Sequence, residues 1–234
     1  MPASDNPHGA LMDRVYARQR HFYDLTRRYY LFGRDRLIRE LELAPGASAV
    51  EIGCGTARNL IAIARRYPDA RLFGLDASQA MLETANRAVA RAGLSRQITL
   101  VQAYAESLSP QVFGERAKFD CAFFSYSLSM IPDWPRALGA ANQALSPLGR
   151  LHIVDFGDFS GLGRLGTAAL LAWLRHFHVE PRAEILQVLE KRAAEADHTL
   201  WVSPGRYAFV WSARRFPDRV SADVADQPHA KGNP

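Results

Sequence analysis

From Ala47 to Gly157, short apolar runs alternate with longer segments whose apolar positions recur every three or four residues. ASAVEIG (47–53), RLFGLD (71–76), ITLVQAY (98–104), KFDCAFFSYSL (118–128) and RLHIVDFG (150–157) read as strands. The fourth is long and nearly all apolar, as a central parallel strand covered on both faces must be. TARNLIAIARRY (56–67) reads as a helix with Leu60, Ile61, Ile63 and Ala64 on one face, stopped by Pro68. SQAMLETANRAVARAGL (78–94) follows with Ser78 at its N-cap and Gly93 near its end, and PDWPRALGAANQAL (132–145) with proline at its start. Repeated βα units of this kind predict a doubly wound, Rossmann-like α/β sheet with right-handed crossovers. TLWVS (199–203) and YAFVWSARR (207–215), separated by Pro-Gly-Arg, add a terminal antiparallel hairpin and bring the strands to seven.

After Gly157 the rhythm breaks. Residues 160–178, SGLGRLGTAALLAWLRHFH, read as an unusually apolar helix, and Pro181 opens another over RAEILQVLEKRAAEA (182–196). The run AALLAWL (168–174) is too apolar for a free surface helix, which leaves two readings. Either it packs into the core, or it forms a wall for a greasy substrate or an interfacial helix, with Trp173 among Arg164, Arg175, His176 and His178.

The chain has 234 residues, room for one sizeable α/β domain. Both cysteines fall in apolar or turn contexts, Cys54 and Cys121, and read as reduced and structural. The N-terminus lacks a basic stretch followed by an apolar one, and no apolar run approaches the roughly 20 residues of a membrane span, so a cytoplasmic placement is expected. The net charge is +5, with eight arginines between Arg14 and Arg39. Such a face is either a solvated helix surface or an attraction for anionic lipid or nucleic acid. Residues 217–234 are polar and read as a disordered tail. The seven histidines are scattered without metal-ligand spacing, so no metal is expected.

The candidate chemistry sits at VEIGCGTARNL (50–60). A strand that ends in Gly53 and Gly55 and turns into a helix lets a ligand approach the backbone. A dinucleotide site wants a third glycine where Arg58 stands, and no Gly-Lys-Ser/Thr of a phosphate loop occurs. Asp76, 23 residues after Gly53, closes the second strand, where a carboxylate can accept hydrogen bonds from both ribose hydroxyls. Alone, Asp76 could equally be a helix cap. Glu51 suits a cation or ammonium better than phosphate. Ribose without pyrophosphate points to a nucleoside cofactor.

E-x-G-x-G at 51–55, Asp76, Ala105-Glu106 after strand three and the FDCAFFSYSL strand together resemble the class I S-adenosylmethionine-dependent methyltransferases over about residues 45–157. The resemblance implies that Gly53 and Gly55 pass under the methionine part of the cofactor and that Asp76 holds the ribose. It puts Ala77 and Met81 against adenine, Ala105 and Glu106 at the adenine edge, and Ser125 under the sulfonium. Two positions depart from the pattern. Ala57 stands where glycine is frequent, and Tyr104 where an aspartate often takes the adenine amino group.

The ends of the chain speak to the acceptor. MDRVYARQRHFYDLTRRYYLFGRDRLIREL (12–41), MIPDWPRAL (130–138) and HVEPR (178–182) resemble bacterial betaine-lipid N-methyltransferases, which in turn resemble some phosphatidylethanolamine N-methyltransferases. This implies three methylations of the amino group of diacylglyceryl-homoserine. The arginine- and aromatic-rich segment 20–38 can lie over the cofactor site, so the expected layout is an N-terminal helical lid over residues 1–45 and a methyltransferase domain over 46–216 with a helical insert near 160–195, whose apolar helix and basic flanks suit peripheral contact with an anionic membrane. Aromatic faces stabilise a trimethylammonium. Tyr16, Tyr23, Tyr29, Tyr30, Tyr126 and Trp173 form the pool, with Tyr23 and Tyr126 foremost. Arg34 or Arg182 is available for the substrate carboxylate, and His178 is either a base or an ordinary helix-end histidine. The rivals are a small soluble amine, a quinone precursor or phosphatidylethanolamine as acceptor, an RNA methyltransferase, and a non-catalytic nucleoside-binding protein. No appended RNA-binding module is visible, and SYSLSMI stands where an N-P-P-Y signature would, so nucleic acid is not expected.

Overall fold

The structure, a computed structural model, describes residues 31–176, 181–192 and 197–216. Among these residues, seven strands form one sheet: β1 (Ser48–Ile52), β2 (Arg71–Asp76), β3 (Ile98–Gln102), β4 (Phe119–Ser125), β5 (Leu145–Phe156), β6 (His198–Val202) and β7 (Ala208–Arg214). Their order is β3-β2-β1-β4-β5-β7-β6. The first five run parallel, and β7 runs antiparallel to both β5 and β6. This is the doubly wound sheet with a terminal hairpin that the sequence pattern predicts.

The strand order reverses at β1, which has β2 on one side and β4 on the other. Ile52 pairs with Leu75 and with Phe124, so these three strands end level. Their carboxyl ends open a crevice where such sheets bind ligands. All five residues of β1 are buried, which places the carboxyl group of Glu51 inside an apolar layer.

Among the described residues, six helices cover the two faces: α1 (Arg34–Glu40), α2 (Arg58–Arg66), α3 (Gln79–Arg91), α4 (Trp134–Ala144), α5 (Gly163–His176) and α6 (Ala183–Arg192). Leu138 and Ala141 of α4 and Ile185, Leu186 and Leu189 of α6 pack with Val50, Phe73, Phe124 and Trp211 on one face. Leu37 of α1, Leu60 and Ile63 of α2, Leu82 and Val89 of α3, and Leu174 of α5 pack with Ala49, Phe123 and Val154 on the other. Each fully buried Phe or Leu contributes ~2–3 kcal/mol of transfer free energy, so both layers hold the sheet rigid. Local signals agree with the packing. The Ser78 side chain accepts from Met81 N at 3.3 Å to cap α3, and Asp133 accepts from Arg136 N at 3.3 Å to cap α4. Helix α2 begins at Arg58, two residues later than the sequence pattern predicts, because Ala57 takes a left-handed conformation (φ 61°). That conformation explains why glycine suits this position.

Helix α5 departs from the packed-core reading along most of its length. Leu174 is fully buried and Leu170 and Leu171 are half-buried, but Leu165 is 89% and Trp173 42% exposed. No helix of the described residues is long and apolar enough to cross a membrane.

Candidate active site

The turn after β1 is built by close backbone approach. Gly53 and Cys54 both donate their N–H to the Leu75 carbonyl at 2.9 Å. Gly53 has φ 74°, and a Cβ there would stand 2.6 Å from the Ser127 Cβ, so only glycine fits. The Ser127 hydroxyl donates to the Ile52 carbonyl at 2.6 Å, which fastens the loop after β4 to the end of β1. Gly55 also has positive φ (53°), but a Cβ there would meet open space. The turn therefore presents bare backbone to the crevice at Gly55.

Asp76 clasps that turn. One carboxylate oxygen accepts from Gly55 N at 2.8 Å and the other from Ser78 N at 2.9 Å. The carboxylate thus lies beside the glycine turn at the head of α3. Ala77 and Met81 follow at the start of α3, half-buried and buried respectively, and Gln102 donates to the Ala77 carbonyl at 3.1 Å. Ala105 is buried and Glu106 half-buried in the short turn past β3, next to the end of β2. Tyr104 is 41% exposed at the same edge.

Glu51 lies on the other side of the turn. It is fully buried, and one of its oxygens accepts from Asn59 Nδ2 at 2.6 Å. The other, Oε2, is buried with no partner. Burial pushes its pKa up to about 8, against the hydrogen bond from Asn59 and the charge of Arg34, which lower it. A buried acid with one oxygen unsatisfied is what an ammonium-bearing cofactor would complete. The Ser125 hydroxyl, at the end of β4, is likewise buried and unpartnered.

Arg34 lies behind Asn59. Its Nε and Nη2 reach Asn59 Oδ1 at 3.1 and 2.5 Å, so Arg34, Asn59 and Glu51 form one polar chain from α1 to β1. Tyr126 adds a second tie. Its ring is 3% exposed and its hydroxyl donates to the Phe32 carbonyl. Burial, Asp155 and Tyr207 push the Tyr126 hydroxyl well above its ordinary pKa, so it is no base at neutral pH. Arg182 donates from Nε to the Ser129 carbonyl at 3.0 Å, and Ser129 in turn donates to the buried Asp155. Trp173 is on α5. Tyr16, Tyr23, Tyr29, Tyr30 and His178 lie outside the described residues, as do most of the lid segment and the tail from 217.

Sequence reading missed three features. Asn59 is a polar residue on the buried face of α2, and that break in the apolar stripe was its signal. Ser127 and Asp155 gave none, since their partners lie 75 and 26 residues away. The third is an aromatic cluster beyond the ends of β4 and β5. Tyr126 meets Phe156 edge-on at 4.8 Å, and Tyr207 stands 5.4, 5.6 and 5.9 Å from Phe32, Phe159 and Phe156. Among the described residues no group of three His, Cys, Asp or Glu side chains could hold a metal ion.

A glycine turn without phosphate-specific groups, an acid closing β2, a buried acid in β1 and an edge hairpin define the class I S-adenosylmethionine-dependent methyltransferase architecture. Comparison with known proteins agrees. Residues 49–149 match the family described as "Methyltransferase domain". A ubiquinone/menaquinone biosynthesis C-methyltransferase of Syntrophotalea carbinolica is 33% identical over 153 residues, covering 63% of this chain and 60% of that protein. A demethylmenaquinone methyltransferase of Lactobacillus johnsonii is 28% identical over 192 residues, covering 81% of this chain and 72% of that one. The fold is shared with a SAM-dependent methyltransferase from Aquifex aeolicus, at TM-score 0.59 and 16% identity over 81% of this chain and 93% of the other. Residues 49–149 thus match a methyltransferase domain, on a fold shared with S-adenosylmethionine-dependent methyltransferases. The chain spans 60% of the length of the first of these relatives.

Proposed function

We propose that the protein is an N-methyltransferase that acts on a lipid-borne amine, the amino group of diacylglyceryl-homoserine, and carries it to the trimethylated betaine. The observation that carries this reading is Phe32, 56% exposed and set edge-on against Tyr207, beside the buried rings of Tyr126, Phe156 and Phe159 at the ends of β4 and β5. The likeness of residues 12–41, 130–138 and 178–182 to betaine-lipid N-methyltransferases supports it.

Bound S-adenosylmethionine supplies a methyl group on a sulfonium, open to in-line displacement by the acceptor nitrogen. Asp76, the bare turn at Gly55 and Glu51 would hold the ribose, the backbone side and the ammonium. Orientation of this kind supplies roughly 7–11 kcal/mol of a barrier. In each round the sulfur–methyl bond breaks, a nitrogen–carbon bond forms, and one proton leaves the amine for solvent. Ser125, Tyr126, Ser127 and Ser129, on and after β4, include no side chain that takes a proton at neutral pH. An amine needs only to lose its proton to water, so this suits nitrogen better than a carbon acceptor. The third transfer creates a fixed cation, and aromatic faces stabilise it by ~0.5–2 kcal/mol each.

Phe32 is 56% exposed, which makes it the ring most open to a ligand and the safest to remove. Phe32→Ala is expected to leave the first methylation near normal and to slow the third by roughly three- to thirtyfold, as loss of one cation–π face implies. Lipid mass would show mono- and dimethylated product accumulating. An unchanged product ratio would sink the cage.

A quinone precursor is the second reading, because the named relatives act in quinone biosynthesis. The exposed ring of Phe32 would stack on a flat acceptor. A carbon acceptor would then need a general base, which Ser125, Tyr126, Ser127 and Ser129 do not supply.

A further inference from the structure

We infer that the outer face of α5 docks onto an anionic lipid surface. The helix packs by one stripe only: Leu174 is buried, and Leu170 and Leu171 are half-buried against the sheet. The opposite side is apolar as well. Leu165, Ala168, Ala169, Ala172 and Trp173 are all exposed. At 100° per residue they fall within about 140° of arc, one continuous face. An exposed apolar face of this extent calls for a partner.

Charge selects the partner. From Phe159 to Val179 the chain has no acidic residue, while it has Arg164, Arg175, His176 and His178. Arg164 and Arg175 stand eleven positions apart, which returns them to one flank of the helix. Arg164 is exposed and makes no ion pair with a described residue. It borders an open depression of about 460 Å³ lined also by Ser160, Gly163, Thr167, Ala168 and Leu171. A second copy of the chain, itself at +5, would bring like charge to this flank, whereas lipid phosphates bring the opposite sign. With 14 residues, α5 is about 21 Å long, too short to span a bilayer and suited to lie in its headgroup layer. The adjoining surface then lies against the membrane, which is where a lipid acceptor would enter. The docking itself does not depend on which acceptor is methylated.

The test is sedimentation of the full chain with vesicles, with neither cofactor nor acceptor lipid present. One vesicle population is phosphatidylcholine alone and the other contains phosphatidylglycerol. The wild type is expected to bind the anionic vesicles, with binding weakened by salt. Leu165→Asp, at a position 89% exposed and so neutral to folding, is expected to lose roughly tenfold or more in partitioning. Arg164→Glu is expected to weaken binding to the anionic vesicles alone. Three results overturn the inference: no vesicle binding by the wild type, undiminished binding by a folded Leu165→Asp chain, or a dimer that Leu165→Asp splits without any lipid effect. Failure of methyl transfer in a separate assay would leave the vesicle result standing.

Discussion

Glu51 concentrates the chemistry of the site. Its carboxyl group sits in a strand buried along its whole length, with one oxygen on Asn59 and the other unsatisfied. With the pKa raised from 4.5 to about 8, Glu51 is mostly protonated in the free protein at neutral pH. The stability it contributes is fully present below pH 4.5 and is lost as pH rises through about 8. An ammonium at Oε2 would favour the carboxylate, so cofactor binding near pH 7 should release a proton. Calorimetry in buffers of different ionisation enthalpy would detect it. Affinity should rise with pH towards 8 and flatten above. Glu51→Gln keeps the bond from Asn59 and should abolish both effects; persistence of proton release in that variant would remove Glu51 from the cofactor site. Asp76 acts differently, since its oxygens hold Gly55 N and Ser78 N. Asp76→Ala should keep the fold, because the residue is only half-buried and lies outside both cores. It should lower the melting temperature by a few degrees, as expected for ~1–2 kcal/mol in a domain of this size, and abolish the thermal shift given by S-adenosylmethionine. A normal shift in the folded variant would refute the ribose assignment.

At the scale of elements, strands and helices were legible because each carries its own period and punctuation. RLFGLD is β2 residue for residue, Ser78 caps α3, and Pro-Gly-Arg turns the final hairpin. The ligand-facing part was legible only where one segment holds it all, as in the glycine turn. The aromatic cluster was not, because Phe32, Tyr126, Phe156 and Tyr207 come from four distant stretches that only the folded sheet brings together. Nor was the dual character of α5 legible, since periodicity reports apolar faces and not which of them is covered. Helix α1 alters the lid idea. Leu37 and Leu41 are buried in the core, and Arg34 and Phe32 are bonded to Asn59 and Tyr126. Removing residues 1–40 would therefore injure the fold itself. Deletion of residues 1–30 is the sharper experiment. It should leave the melting temperature within a few degrees of the full chain while lowering kcat/KM for lipid substrate at least tenfold, the scale of one or two lost contacts. Normal turnover by that truncation would dismiss the lid.

Across the whole molecule, the polar chain Arg34–Asn59–Glu51 and the Tyr126–Phe32 bond join the N-terminal segment to the two ends of the site. The proposed acceptor side draws on Phe32, Tyr126 and Tyr207, which the fold brings together from distant stretches of the chain. The most direct measurement offers S-adenosylmethionine with diacylglyceryl-homoserine, phosphatidylethanolamine or a quinone precursor in mixed micelles, and reads the mass of each. Successive gains of one, two and three methyl groups on diacylglyceryl-homoserine are expected. Methylation of the quinone precursor or phosphatidylethanolamine alone would contradict that expectation, as would an unchanged mass for every acceptor while the protein still binds the cofactor.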